Sequence, residues 1–331
     1  MLHWRLLLGG MISAIIVGLC ALDVFLEHLC QIPGLALFPL LVLLSMLACR
    51  EMLHFANRNH VYPVPYITYL GSFLILLSGW ATFAFQHSQP PETELPPPTP
   101  VMSAPGTPVD MPSVRPDPKT LHLWEQLKTM TPGNWALSAF ALVTILVFLQ
   151  EMYSFVRPGA VNIRMAYTIF TMVYVGLFAT FLTLLRLCFG LFSLIAFVAI
   201  VKSGDIGAYT VGRLFGRNKM APGLSPGKTI EGAFGAILFS CVAACLCYAV
   251  LQPWIFHQPI PRPFSGWWVV YGIMLGFIGM LGDLAESLMK RDAELKDAST
   301  LMPGFGGVLD ILDSLLLSAP VAYAFLTLQL L

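Results

Sequence analysis

Residues 165–201 read MAYTIFTMVYVGLFATFLTLLRLCFGLFSLIAFVAIV, a stretch in which Arg186 is the only charged side chain. About twenty apolar residues cross the hydrocarbon core of a bilayer as a helix, because lipid offers backbone N–H and C=O groups no partner but one another. The stretch therefore predicts two consecutive spans, near 165–185 and 187–201. The same rule applied outward gives seven more, near 6–22, 33–49, 64–86, 136–156, 232–252, 267–282 and 311–330. The runs 187–201 and 267–282 are short and read as tilted, broken or partly re-entrant. The expected fold is an all-α integral membrane protein of about nine transmembrane helices.

Composition points the same way. Of 331 residues 57% are hydrophobic and 11% charged, with 18 Lys+Arg against 18 Asp+Glu, whereas a soluble domain carries about 25% charged residues. A net charge of zero excludes the basic surplus of a nucleic-acid binder, and the apolar content excludes a disordered chain. The seven cysteines (Cys20, Cys30, Cys49, Cys188, Cys241, Cys245, Cys247) lie in or beside apolar runs without a Cys-x-x-Cys pair. They read as small core or lipid-facing residues. Met1 to Cys20 has Arg5 ahead of an apolar stretch but no small-x-small cleavage site before Asp23, and reads as an uncleaved first helix.

Loop charge predicts orientation. With the N-terminus in the cytoplasm and the C-terminus outside, thirteen of the eighteen basic residues fall inside, the exceptions being Arg115, Lys119, Lys128, Arg186 and Arg262. The chain divides into an N-terminal region of three helices (1–86), an external Pro-rich loop (87–135, with PPETELPPPTP at 90–100) and a region 136–331. Repeated proline favours an extended, solvated chain in the loop. No internal repeat is evident, which weakens a transporter reading.

Two segments on the cytoplasmic side carry the chemistry. The first, KSGDIGAYTVGRLFGRNKMAPGLSPGKTIEG (202–232), combines five bases with seven glycines, a composition in which backbone N–H groups can approach a polyphosphate that Lys and Arg neutralise. It is not a P-loop: Pro222 stands where that pattern demands glycine. The second, GDLAESLMKRDAELKDASTLMPGFGGVLDILDS (282–314), puts Asp283, Ser287 and Lys290 on one helix face and Asp310 and Asp313 one turn apart at the mouth of the last apolar run. Oxygen ligands without histidine or thiolate suit Mg²⁺, which characteristically binds one or two carboxylates plus substrate phosphates. Bases for phosphate and acids for metal on one membrane side point to phosphoryl or nucleotidyl transfer at the cytoplasmic interface.

These residues resemble the signature of the phosphatidate cytidylyltransferases (CDP-diacylglycerol synthases): Ser287-x-x-Lys290-Arg291, Lys296-Asp297, Pro303-x-x-Gly306-Gly307 and Asp310-x-x-Asp313. Upstream, Asp205-x-Gly-Ala-Tyr209, Gly212-Arg213-x-Phe-Gly216 and Leu224-Ser225-Pro226-x-Lys228-Thr229-x-Glu231-Gly232 are also similar. The likeness covers roughly 160–331. It departs from the family at Phe305 (usually histidine), Ile311 (usually arginine) and, conservatively, Met302. The resemblance implies CTP and phosphatidate giving CDP-diacylglycerol and pyrophosphate, with Asp283 and Asp310 as Mg²⁺ ligands and Asp313 and Asp297 as secondary candidates. A second metal or a monovalent cation is compatible with it. Lys202, Asp205, Arg213, Lys219, Ser225, Lys228 and Thr229 would hold the nucleotide. Ser287, Lys290, Arg291, Lys296 and Asp297 would serve the lipid phosphate or the departing pyrophosphate, Lys290 and Arg291 beside the metal acids as catalytic groups.

Other readings stay open. They are a CTP-dependent lipid kinase, a cytidylyltransferase for another membrane lipid, an impaired homologue that binds lipid, and a cation-coupled transporter, for which Glu151 is the main isolated membrane acid. A bacterial inner membrane is the simplest location for a chain without sorting signals. The oligomeric state is open, a homodimer included.

Overall fold

A computed structural model describes residues 2–88, 102–103, 107–108, 132–155, 159, 161–256, 266–299 and 306–328. The helices run in the order α1 (Leu2–Cys30), α2 (Leu37–Arg58), α3 (Pro65–Ser88), α4 (Pro132–Tyr153), α5 (Val161–Thr171), α6 (Phe178–Phe215), α7 (Ile230–Ala244), α8 (Gln252–Phe256), α9 (Trp267–Asp292) and α10 (Leu309–Thr327). Among the described residues six helices are long and apolar enough to cross a membrane, including a 55-residue run Val161–Phe215. Between residues 89 and 131 the described residues are two short strands, β1 (Met102–Ser103) and β2 (Thr107–Pro108), paired antiparallel.

The 55-residue run takes in the stretch 165–201, where two consecutive spans were expected. A π-helical turn at Met172–Leu177 joins α5 to α6, and Gly190 breaks α6 with φ 82° and ψ 172°. That conformation is one only glycine reaches without strain, so the chain changes direction without leaving helix on either side. The two runs that looked short are full-length helices. Residues 202–215 continue α6 and residues 283–292 continue α9, because polar residues at a helix end keep its backbone bonds while losing the hydropathy that marks a span.

This corrects the reading of the glycines in 202–232. Gly204, Gly207 and Gly212 are helical and form a contact face on α6 rather than a phosphate-cradling loop. A Cβ on Gly207 would run into the Gly235 carbonyl and Phe239 Cβ, and one on Gly235 would lie 2.6 Å from the Gly207 carbonyl. The backbones of α6 and α7 meet there at a distance no side chain permits, the packing mode of small residues in membrane helices. Gly207→Ala is expected to lower stability by about 1–3 kcal/mol, the usual cost of overpacking, measured as a fall in thermal midpoint of the detergent-solubilised protein.

Only residues 216–229 leave the helix, as a hairpin of β3 (Lys219–Ala221) and β4 (Ser225–Thr229). Thr229 ends the hairpin and caps α7, its hydroxyl accepting from the Gly232 N–H at 3.1 Å. The Glu231 carboxylate accepts from Asn218 Nδ2 at 2.8 Å, tying the base of the hairpin to α7.

One buried core joins α2, α6, α9 and α10 through Met52, Phe55, Phe197, Ile200, Tyr271, Leu275 and Leu316. α4 instead leaves Leu142, Ile145, Phe148, Leu149 and Met152 exposed, a face that lipid would cover. The membrane acids are paired. Glu151 binds Arg164 at 2.6 Å, so the residue that favoured a transporter is an ion-pair partner between α4 and α5. Arg186, 4% exposed, bridges Asp23 at 2.7 Å and Glu27 at 2.6 Å. Asp23 also accepts from the Ala36 N–H at 3.0 Å, where the chain turns into α2.

Candidate active site

The polar end of α6, the start of α7, α9 and the hairpin enclose a cavity of about 510 Å³. Glycines and small residues of the packed helices form its floor (Gly204, Gly212, Gly232, Gly276, Gly279), and Arg213, Ser225, Gly227, Lys228 and Thr229 stand along its rim. Five of the seven residues expected to hold the nucleotide therefore line it: Asp205, Arg213, Ser225, Lys228 and Thr229. Lys202 is one step removed. Its Nζ binds Asp205 at 3.0 Å and donates to Ser314 Oγ at 2.8 Å, and Ser314 in turn donates to Asp205 at 3.1 Å. Lys219 is exposed on β3 and stands outside this lining.

Thr229 serves as the α7 cap, which leaves its hydroxyl half committed. Arg213 donates to the Tyr209 hydroxyl at 2.8 Å, one turn back on α6. Lys228 reaches across the cavity to Asp283 at 2.8 Å. In that contact a hairpin base neutralises an α9 acid, and both remain partly exposed, so a phosphate and a cation could replace each other's partner at low cost.

Beside the cavity, which Asp283 lines, three acids converge. Asp283 and Glu286 on α9 and Asp313 on α10 each place a carboxylate oxygen within 4.8 Å of the others. Glu286 is fully buried. Lys290 Nζ lies 2.5 Å from its Oε2. Oε2 is thus held by the ammonium, while Oε1 has no partner among the described residues. A buried carboxylate oxygen without a partner, beside two further acids, could serve as a donor to a hard divalent cation, and an all-oxygen set is of the kind Mg²⁺ takes.

Asp310, expected to share the metal with Asp283, is placed elsewhere. Its Oδ1 takes Lys290 at 2.6 Å, and its Oδ2 accepts from the Gly307 N–H at 2.6 Å and the Ala298 N–H at 3.0 Å. Its lone pairs are used in folding the signature loop back onto α10. Lys290 thus clamps Glu286 and Asp310 together instead of standing free for phosphate. Arg291 is likewise engaged, donating to the carbonyls of Leu224 and Leu295 at 3.1 Å each, and so fastens the hairpin tip to the end of α9. Ser287 is buried on α9. Lys296 and Asp297 line a separate cavity of about 530 Å³ with Arg50, Glu51 and His54.

Glu286 was missed as a ligand in the sequence, although its spacing of three from Asp283 and four from Lys290 places it between them on one face. Ile311 is half-buried in the first turn of α10, its N–H bonded to the Val308 carbonyl at 3.1 Å. With Lys290 already pairing Asp310, the acids need no arginine at that position to be neutralised. Phe305, Met302 and Pro303 lie outside the described residues.

Comparison with known proteins places the chain in a family. Residues 119–329 match the model of the cytidylyltransferase family. A protein of Chlamydia pneumoniae named phosphatidate cytidylyltransferase is 31% identical over 287 residues, 82% of this chain and 76% of that one. Proteins of the same name in Chlamydia muridarum and Bacillus subtilis are 41% identical over 143 residues and 33% over 189, or 41% and 56% of this chain. Those two matches span 44% and 65% of the relatives' own lengths. The family match takes in the hairpin, the three converging acids and the clamp around Lys290, and on that ground the chain belongs to the cytidylyltransferase family.

Proposed function

We propose that the protein transfers the cytidylyl group of CTP to phosphatidate, giving CDP-diacylglycerol and pyrophosphate. The observation that carries this reading is the adjacency of two features: a glycine-floored cavity rimmed by Arg213, Lys228 and Ser225, and the acids Asp283, Glu286 and Asp313 at its edge. The cavity is large enough for a nucleotide, and its rim offers cationic and hydroxyl donors for the triphosphate.

Asp283, Glu286 and Asp313 would hold Mg²⁺, which when bound neutralises the triphosphate and draws charge from the α-phosphorus. Lys228, now paired with Asp283, is placed to turn to a phosphate oxygen when that acid takes up a cation. The lipid phosphate oxygen forms a bond to the α-phosphorus as the bond from that phosphorus to the bridging oxygen of pyrophosphate breaks. The nucleophile is already ionised, so no side chain has to remove a proton, in keeping with the absence of histidine from 202–232 and 282–314. Reaction in line requires positioning above all, and the clamp of Lys290, Glu286 and Asp310 supplies it from the protein side.

The finer topology belongs to the same proposal: nine spans, N-terminus and active site on the cytoplasmic side, in a bacterial inner membrane. The positive-inside bias supports it. Purified protein with labelled CTP, phosphatidate and Mg²⁺ should yield labelled CDP-lipid; no CDP-lipid from the wild type would overturn the reading. Single cysteines at 58 and 217 in a cysteine-free background should be modified only from the cytoplasmic side by an impermeant maleimide. Labelling from the periplasm would reverse the orientation.

A further inference from the structure

The N-terminal helices contribute no residue to the lining of the 510 Å³ cavity, yet α2 reaches the acidic edge of the site through Glu51. Its carboxylate is 3% exposed and faces the start of α10. Oε1 accepts from Ser299 Oγ at 2.5 Å and from the Val308 N–H at 3.0 Å, and Oε2 accepts from the Leu309 N–H at 2.7 Å. Those N–H groups are the donors a helix leaves unsatisfied at its first turn, and a negative charge there is also favoured by the helix dipole. Asp310 and Asp313 follow within the next turn.

Glycine at 307 is what lets the carboxylate come this close. A Cβ on Gly307 would lie 2.6 Å from both Glu51 oxygens, and one on Gly306, where φ is +88°, would lie 2.6 Å from Asp310 Oδ2. The double glycine of the signature therefore accommodates two acids, Glu51 on one side and Asp310 on the other. α2 is itself fixed against the rest of the chain: Asn59 Nδ2 donates to Asp292 at 2.6 Å, and the Tyr167 hydroxyl donates to the Met52 carbonyl at 3.0 Å.

We propose that Glu51 is a positioning residue for the metal acids, setting the first turn of α10 so that Asp313 stays within reach of Asp283 and Glu286. The proposal rests on reading those three acids as a divalent-cation site. Glu51 lies outside the lining of the 510 Å³ cavity; it acts through the backbone of Val308 and Leu309, and a slip of that turn moves Asp313 relative to α9. Misplacements of about 1 Å can lower a rate by about 10²-fold.

Glu51→Gln preserves shape while turning an NH₂ toward one of the N–H donors. The test uses nucleotide-free, detergent-purified protein and Mn²⁺ as the probe, its binding followed by electron paramagnetic resonance, beside the Mg²⁺ dependence of CDP-lipid formation. Expected is an increase of about 10–100-fold in the Mn²⁺ dissociation constant and in the half-saturating Mg²⁺, the range for groups that orient metal ligands. At saturating metal the KM for CTP changes little, and Glu51→Asp, which keeps the charge, recovers part of the affinity. A merely structural glutamate would lower the thermal midpoint and leave the metal affinity of the folded protein unchanged, and that result overturns the proposal. If Glu51→Gln does not fold, Gly307→Ala, which displaces the carboxylate without removing it, is measured the same way, and unchanged Mn²⁺ affinity there is equally decisive. Wild-type protein that binds Mn²⁺ but makes no CDP-lipid would sink the cytidylyltransfer reading alone, since the binding measurement still tests Glu51.

Discussion

Asp283→Asn, Glu286→Gln and Asp313→Asn should each lower kcat for CDP-lipid formation by about 10²-fold or more. A cation that neutralises a triphosphate contributes several kcal/mol to the transition state, and about 1.4 kcal/mol is a factor of ten. The three acids stand within 4.8 Å of one another, so loss of one leaves a pair that still attracts the ion but no longer fixes it. The signature of a ligand, as opposed to a structural acid, lies in metal preference. Asp283→Cys should regain part of its activity with Cd²⁺ while remaining inactive with Mg²⁺, because a thiolate favours softer ions. Equal loss with both metals, in a folded variant, would remove Asp283 from the metal set. Asp310→Asn is expected to differ, since its carboxylate is taken by Lys290 and two backbone N–H groups. Its main effect should be on the thermal midpoint.

The second large effect concerns Lys290. Its ammonium is the shared cation of Glu286 and Asp310, and both Lys290 and Glu286 are buried. Removing one partner of a buried pair leaves an uncompensated charge and costs about 3–5 kcal/mol. Lys290→Met is therefore expected to unfold or aggregate well below the wild-type temperature, followed by thermal scanning in detergent. The triple variant Lys290→Met, Glu286→Gln, Asp310→Asn should regain much of that stability and remain inactive, since neutral groups of similar volume need no counter-charge. If Lys290→Met alone matches the wild-type midpoint, the clamp carries no such energy.

Much of the fold is legible in the sequence because lipid imposes a single rule on every span: the chain is helical along its apolar runs, and among the described residues six helices are long and apolar enough to cross a membrane. What escaped were the polar continuations. Residues 202–215 hold Lys202, Asp205 and three glycines, features that signal a loop in water, yet α7 offers a glycine face that makes them a packed helix. Choosing between Asp310 and Asp313 also lay beyond the sequence. They sit one turn apart, and which stands beside Asp283 and Glu286 depends on where the signature loop folds back, where the N–H groups of Ala298 and Gly307 bind Asp310. Glu51 was illegible for a different reason. It is a lone acid at the polar end of an apolar run, and its partners lie 248 to 258 residues away.

The triad of Asp23, Glu27 and Arg186 bears on the order in which the chain is built. The two acids are synthesised 163 and 159 residues before the arginine that neutralises them. Through that interval Asp23, wholly buried in the folded chain, lacks the guanidinium that pairs with it, so the C-terminal end of α1 completes its packing only after the α6 segment emerges. The last step in seating the first helix thus waits on translation of more than half the chain, and a nascent protein stalled before residue 186 would present an unfinished, charged helix to the insertion machinery.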